Sequence, residues 1–483
     1  MTVADPQRTR AGAVAWAFAT VGCALALGAA LLGTAHLPMA DLPQHAAQVA
    51  LWARMDDPAV ARIYELNWLT PNLGAYALAR LFTLALPLDR ALACVVVLAL
   101  LATPVVVARE LRRAGGDPRW ALALLPLGFT MVFYWGLLNF LVGLPLVPWV
   151  LGAARRHAER PSRRGAFGLA ALLGLLLAAH VLLFAFASAA ALLALALRQR
   201  LSVRAAWPLV ALWPAAIAWL LVTRHAEALA QEGVAWHFSF ARLVQLPREV
   251  LGLSAGVEPV QLVCALALLA SPFALGARPA RDAARWAPAL LAAALFLVLP
   301  FRAFGNACLY PRFAALVAPC ALLALERGPR ALAPRLWAVV PLLVLVSLGS
   351  VGLRLRAFDA EARAVEPLLA RLPPGRTLLG LALQPFSALS ASPAFEHLAM
   401  WHEARGGATT EPSFASRYPM LVRYRAGAAH LPAEWDPRSF RWARDGRFDA
   451  YLVRAPVDVS AVLFPGAPVR LTARSGELWL YER

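Results

Sequence analysis

The sequence predicts an α-helical polytopic membrane protein of about eleven transmembrane helices with added juxtamembrane helices, followed by a small external α/β domain. Three observations carry this. The 483-residue chain is 60% hydrophobic and 15% charged, with a mean hydropathy of +0.61, well above what a water-soluble chain shows. Long apolar runs alternate with short arginine clusters. From Arg354 onward the texture changes to more charge, turn signals and short apolar runs. The net charge of +18 comes from arginine alone, with no lysine, and sits mostly between apolar runs. That is the positive-inside pattern of cytoplasmic loops, and it argues against a nucleic-acid partner.

Taken in order, the first run, Gly12 to Gly33, is too long for a signal-peptide core and reads as an uncleaved span. Arg8 and Arg10 place the N-terminus in the cytoplasm, so the stretch from His36 to about Arg90 begins outside. Leu73 to Pro87 is short and carries Arg80. It reads as a juxtamembrane or re-entrant helix, because a crossing there would put Arg109, Arg112, Arg113 and Arg119 outside. Ala91 to Ala108 is the second span. Trp120 to Ala153 and Ala166 to Leu197 each read as two short spans, turning near Tyr134 to Asn139 and near His180, which keeps Arg155, Arg156, Arg160, Arg163 and Arg164 inside. Ala206 to Val222, Val260 to Leu275, Trp286 to Phe301, Arg312 to Leu325 and Leu336 to Leu353 complete the set and leave the C-terminus outside.

The division is therefore 1–353 for the membrane domain, with a first external loop over 34–90, and 354–483 for an extracytoplasmic domain of about 130 residues, enough for its own core. Strands are expected at Thr377 to Leu383 and Phe448 to Val453, and a hairpin from Val469 to Thr472 and Leu478 to Tyr481. Helices are expected at Phe358 to Leu372 and Phe395 to Arg405. Cys23, Cys94, Cys264 and Cys320 lie in apolar runs and Cys308 in a loop, so no disulfide framework follows.

One stretch carries the chemistry. A helix begun at Asp41 puts Asp41, Gln44, His45 and Gln48 on one side and Leu42, Ala46, Val49 and Ala53 on the other, an amphipathic helix lying on the membrane. Asp41 is then a candidate general base or only a helix N-cap. Four further residues fall at external ends of spans: Asn139, His180, Arg302 and Arg312. The two arginines suit a phosphate through the forked guanidinium or act as interfacial anchors, and Asn139 lines a cavity or caps a helix. Asp56 and Asp57, before Pro58, look like a helix start. His225, Glu227, Glu232 and His237 are metal-capable types without a zinc spacing. In the C-terminal region His397, Trp401 and His402 either pack or touch an acceptor.

This order of a first span, a long external loop opening on Asp41, many spans and an external C-terminal domain resembles the GT-C superfamily of integral-membrane glycosyltransferases. Asp41 matches the family's catalytic acidic position after the first span. Trp68-Leu69-Thr70-Pro71-Asn72-Leu73, with Asp89-Arg90 before the second span, looks like its surface helix. His180-Val181-Leu182-Leu183 and Tyr310-Pro311-Arg312-Phe313 fall where members carry a polar residue and a phosphate-facing arginine. The resemblance implies an inverting transferase on the outer face of a bacterial plasma membrane. It takes a sugar from a polyprenyl-phosphate donor, with Asp41 at the reaction and Arg312 and His180 around the substrates; the residues themselves add His45 beside Asp41 and Arg302, Asn139 and Gln44 as candidate substrate contacts. Many members pair two acidic residues after the first span, whereas Asp41 stands alone. One carboxylate and an imidazole make a poor oxygen cage for Mg²⁺ or Mn²⁺, so no cofactor is expected. Expected partners are the lipid-linked donor and membrane lipid, with the acceptor open. A non-catalytic scaffold of the same fold and a transporter are the alternatives, the latter disfavoured by the lack of an internal repeat.

Overall fold

A computed structural model describes residues 6–226, 234–236, 238–303, 307–328, 337–433 and 435–483. Among these, five helices are long and apolar enough to cross a membrane: Gly12–Leu32, Leu88–Arg113, Leu138–Glu159, Val203–Thr223 and Val339–Leu369. Shorter apolar helices, among them Val181–Leu197, Pro259–Ala274, Ala287–Val298 and Tyr310–Leu323, pack with them, as expected of a multi-pass membrane protein. Outward-facing Phe18, Leu25, Leu175 and Leu221 are exposed, which suits a surface solvated by lipid. Glu227, Glu232 and His237 of the metal-capable loop, and the side chain of His225, lie outside the described residues.

Two membrane elements differ from the sequence reading. Trp120 to Tyr134 was expected as one span. It is instead a 3₁₀ segment over Pro118–Ala123, a single turn over Leu124–Leu127, an irregular stretch, and a short helix over Met131–Trp135. Trp120 through Leu127 are all buried, so neighbouring helices rather than lipid surround this broken backbone. The last apolar helix runs without interruption from Val339 to Ala362, across the expected boundary at 353. The change from apolar to charged residues there changes the surroundings of the helix and not its conformation.

Beyond it lies a five-stranded mixed sheet in the order Thr410–Glu411, Leu378–Ala382, Ala450–Arg454, Leu478–Glu482, Arg470–Ser475. The first three strands are parallel, and the last two form a hairpin turned at Gly476, whose φ of 60° is in the left-handed region. One face carries a core of Leu379, Leu381, Tyr451, Val453, Phe464, Trp479 and Tyr481. The expected helix over Phe395 to Arg405 is two single turns, Leu398–Met400 and Trp401–Ala404.

The helix that follows Asp41, Leu42–Ala53, does not lie on the membrane surface with a solvated polar edge. Every residue from Leu42 to Val49 is buried. Its polar edge meets the C-terminal chain: the Gln48 side-chain amide donates to Val422 O (2.9 Å) and accepts from Val422 N (2.8 Å), closing a pair of bonds with a strand. That strand, Val422–Tyr424, pairs antiparallel with Tyr64–Leu66 from the first loop. Beside it Tyr64 Oη donates to Glu403 Oε1 (2.5 Å) and Tyr424 Oη to Glu411 Oε1 (2.6 Å), with the two tyrosine rings stacked at 5.0 Å. Periodicity identified the polar face correctly, but it cannot show that the face's partner is another piece of backbone.

Replacing Gln48 by Leu strips Val422 of both partners in a dry seam, and the expected cost is about 1–3 kcal/mol, read as a lower melting temperature in detergent. The seam also sets a pH dependence. Burial first, then the neighbouring Glu411, pushes Glu403 up to about 8, and burial pushes Glu411 up to about 7. Both therefore keep in the folded chain a proton that the unfolded chain releases near 4.5. Their stabilisation is present at low pH and is lost as pH rises through 7 and then 8. Melting temperature should fall between roughly pH 4.5 and pH 8 and level off above that, and Glu403→Gln and Glu411→Gln should each flatten that slope.

Candidate active site

Asp41 occupies the N-cap position of the Leu42–Ala53 helix, yet its side chain makes no cap hydrogen bond. The backbone holds it instead: Asp41 N donates to Trp135 O (3.0 Å) and Ala40 N to Tyr134 O (3.0 Å). Gly136 makes this docking possible. Its φ of 74° is left-handed, and a Cβ there would stand 3.0 Å from Asp41 N and 3.1 Å from Leu42 N. The Asp41 carboxylate is thereby turned into a polar cavity of about 370 Å³.

The spans supply Arg302, Cys308 and Arg312 to this cavity, and the C-terminal region supplies Phe386, Glu396, His397, Arg417, Trp435, Asp436 and Arg438. Arg312 is fixed by Nε to Cys308 O (3.2 Å), Nη2 to Ala307 O (3.0 Å) and Nη1 to His180 Nε2 (3.1 Å). Among the described residues these take three of the five N–H groups of its guanidinium. Cys308 presents its carbonyl from a left-handed backbone, φ 55°, unusual for a residue with a side chain.

His180 is an extended residue (φ −166°, ψ 121°) between the helices Arg163–Ala179 and Val181–Leu197. It lines a second cavity, about 380 Å³, walled by Trp213, Ile217, Leu220, Leu299 and Leu309. This chamber is almost wholly apolar. The Arg312–His180 hydrogen bond thus stands between the two cavities, and Arg417 lines both.

The remaining expected residues are placed differently. His45 does not line the polar cavity. Its Nε2 faces Gly136 O (3.0 Å) and its Nδ1 faces Tyr76 Oη (2.9 Å), which fixes Nε2 as the protonated nitrogen and leaves Nδ1 to accept from the phenol. Burial lowers it to about 4, against a smaller opposing effect of the Gly136 carbonyl, so it is a neutral strut under the Asp41 loop rather than a proton-transfer group. Gln44 also lies off the cavity: its side-chain carbonyl accepts from Phe414 N (2.9 Å), and its Nε2 donates to Pro412 O (2.8 Å) and faces His397 Nδ1 (3.1 Å). Asn139 Oδ1 accepts from Ala75 N (3.0 Å) at the start of the Gly74–Phe82 helix, so it is a helix cap and not a substrate contact. Asp57 is where it was expected, at a helix start: it caps Pro58–Ile63 by accepting from Ala59 N (2.9 Å).

Arg417 was not singled out by the sequence, and His397 was named only as a residue that packs or touches an acceptor, not as a neighbour of Asp41. His397 is buried, with its Nε2 3.7 Å from Asp41 Oδ1, and burial followed by the nearby His45 lowers it to about 3. No periodic pattern marks the segment that carries it. Among the described residues no three His, Cys, Asp or Glu side chains are grouped to hold a metal ion.

No family model matches the chain, and no curated protein matches it in sequence. Solved structures do match. ArnT from Cupriavidus metallidurans, in the apo state and bound to undecaprenyl phosphate, superposes with a TM-score of 0.59, covering 97% of this chain and 98% of that one at 14% sequence identity. The chain has the ArnT fold. That likeness, over almost the whole length of both ArnT and this chain, is a likeness of fold.

Gly136→Ala should push the Asp41 loop out of the cavity through the new Cβ and the unfavourable backbone. The expected result is folded but less stable protein, by about 1–3 kcal/mol, measured by thermal melting alongside a correctly sized peak in gel filtration.

Proposed function

We propose that the chain is an inverting membrane glycosyltransferase that takes a sugar from a polyprenyl-phosphate donor. The observation that carries this reading is the pair of cavities, one polar and holding Asp41, one apolar and set between spans, meeting at Arg312 and His180. A lipid-linked sugar has three chemically distinct parts in fixed order: an apolar tail, a phosphate and a polar head. The cavities offer them surroundings in the same order. The tail takes the apolar chamber, the phosphate takes the Arg312 fork with Arg417 and Arg302 near it, and the sugar enters the chamber of Asp41. The undecaprenyl phosphate bound by ArnT supports a lipid phosphate as the ligand class.

In the reaction, the Asp41 carboxylate removes the proton from an acceptor hydroxyl as its oxygen attacks the anomeric carbon. The carbon–oxygen bond to phosphate breaks on the opposite face, which gives inversion, and the electron pair leaves with the polyprenyl phosphate. Arg312 stabilises the charge that grows on that phosphate. The arginine clusters between spans support an orientation with the N-terminus in the cytoplasm and the cavity on the outer face, in a bacterial plasma membrane.

The test is lipid mass spectrometry of purified protein combined with sugar transfer from a polyprenyl-phosphate-sugar fraction. Wild type should retain a polyprenyl phosphate or its sugar conjugate, and Arg312→Gln should lose it. Asp41→Asn should keep the lipid and lose transfer by about 10²-fold or more. Bulk phospholipid alone in every sample, with transfer unaffected at Asp41, overturns the reading.

A further inference from the structure

We propose that His397, supplied by the C-terminal region, is the positioning residue for the Asp41 carboxylate, holding it by a neutral Nε2–H group. The inference rests on the reading of Asp41 as the base, and it adds a residue and a role to that reading.

A relay of fixed hydrogen bonds selects the tautomer. Phe414 N can only donate, so the Gln44 atom facing it at 2.9 Å is the side-chain oxygen. The other end of the amide is then the NH₂ group, which donates to Pro412 O at 2.8 Å and has a second hydrogen for His397 Nδ1 at 3.1 Å. Nδ1 is therefore an acceptor. A neutral imidazole that accepts at Nδ1 carries its proton on Nε2, and Nε2 is the atom that faces Asp41 Oδ1, 3.7 Å away. That distance is longer than a hydrogen bond. Such contacts commonly tighten only when substrate is bound.

The surroundings keep the ring in place and neutral. Phe414 packs edge-on against it with ring centroids 5.4 Å apart. Asp41 and His45 are beside it, and the other charged groups that line the same cavity are Arg302 and Arg312 from the spans and Glu396, Arg417, Asp436 and Arg438 from the C-terminal side. A neutral donor suits a base better than a cation would. It orients one carboxylate oxygen, leaves the other to the acceptor hydroxyl, and does not neutralise the charge that attracts the proton.

Two measurements test this, and the first needs no activity. In protein labelled with ¹⁵N-histidine and held in lipid nanodiscs, the resonance lost in His397→Gln should be a neutral ring protonated at Nε2 between roughly pH 5 and pH 8, and it should shift in Asp41→Asn. A cationic ring, a proton on Nδ1, or no response to Asp41→Asn overturns the proposal even if sugar transfer is confirmed. The second is the pH profile of transfer. His397→Phe keeps the ring volume but removes the donor to the charged carboxylate, so the acid limb should move up by about one pH unit. His397→Gln places an amide N–H where Nε2 stood and should move the limb back. Equal loss of rate at every pH in both variants would mean a packing role and overturn the proposal. If wild type transfers no sugar while the resonance behaves as expected, it is the proposed function that fails, and the pairing of His397 with Asp41 stands.

Discussion

The burial of one polar helix edge against backbone is what the rest of the site depends on. Gln44, His45 and Gln48 each spend their hydrogen-bonding capacity on the main chain or on a neighbouring ring: Phe414 and Pro412 for Gln44, Gly136 and Tyr76 for His45, Val422 for Gln48. A buried polar group left without such partners costs more than the bond itself is worth, so these contacts dictate one register and one orientation of the helix. With the helix fixed, Asp41 at its start has one direction in which to point.

The two sides of the cavity are built on different principles. On the membrane side, close approach matters: Gly136 lets the Asp41 backbone lie against a turn between helices, and backbone carbonyls at Ala307 and Cys308 grip Arg312. On the C-terminal side, short loops leaving the mixed sheet and its neighbouring turns supply ionisable groups such as Glu396, Asp436 and Arg438. Binding residues placed on loops above a rigid scaffold are a common arrangement.

Much of this was legible from the residues. Hydropathy and arginine placement located the apolar helices, the turn at His180, and the region of Arg312. Amphipathic period located the Asp41 helix, and turn signals located the hairpin at Gly476. What escaped has physical causes. Hydropathy reports depth and not conformation, so the broken backbone between Trp120 and Trp135 looked like an ordinary span. A polar stripe reports the need for partners without naming them, so Gln44 and His45 looked like cavity residues although their partners are structural. Arg417, and the approach of His397 to Asp41, depend on irregular chain whose place is set by long-range docking, and no local period encodes that.

The seam between the first loop and the C-terminal chain has a consequence for assembly. Asp41 emerges from the ribosome well before His397, Phe414 and Val422. Until the last third of the chain has been made and has closed over the Leu42–Ala53 helix, the polar edge has no partners and the chamber has only one wall. A nascent chain can therefore thread its early helices into the bilayer while the reaction centre does not yet exist.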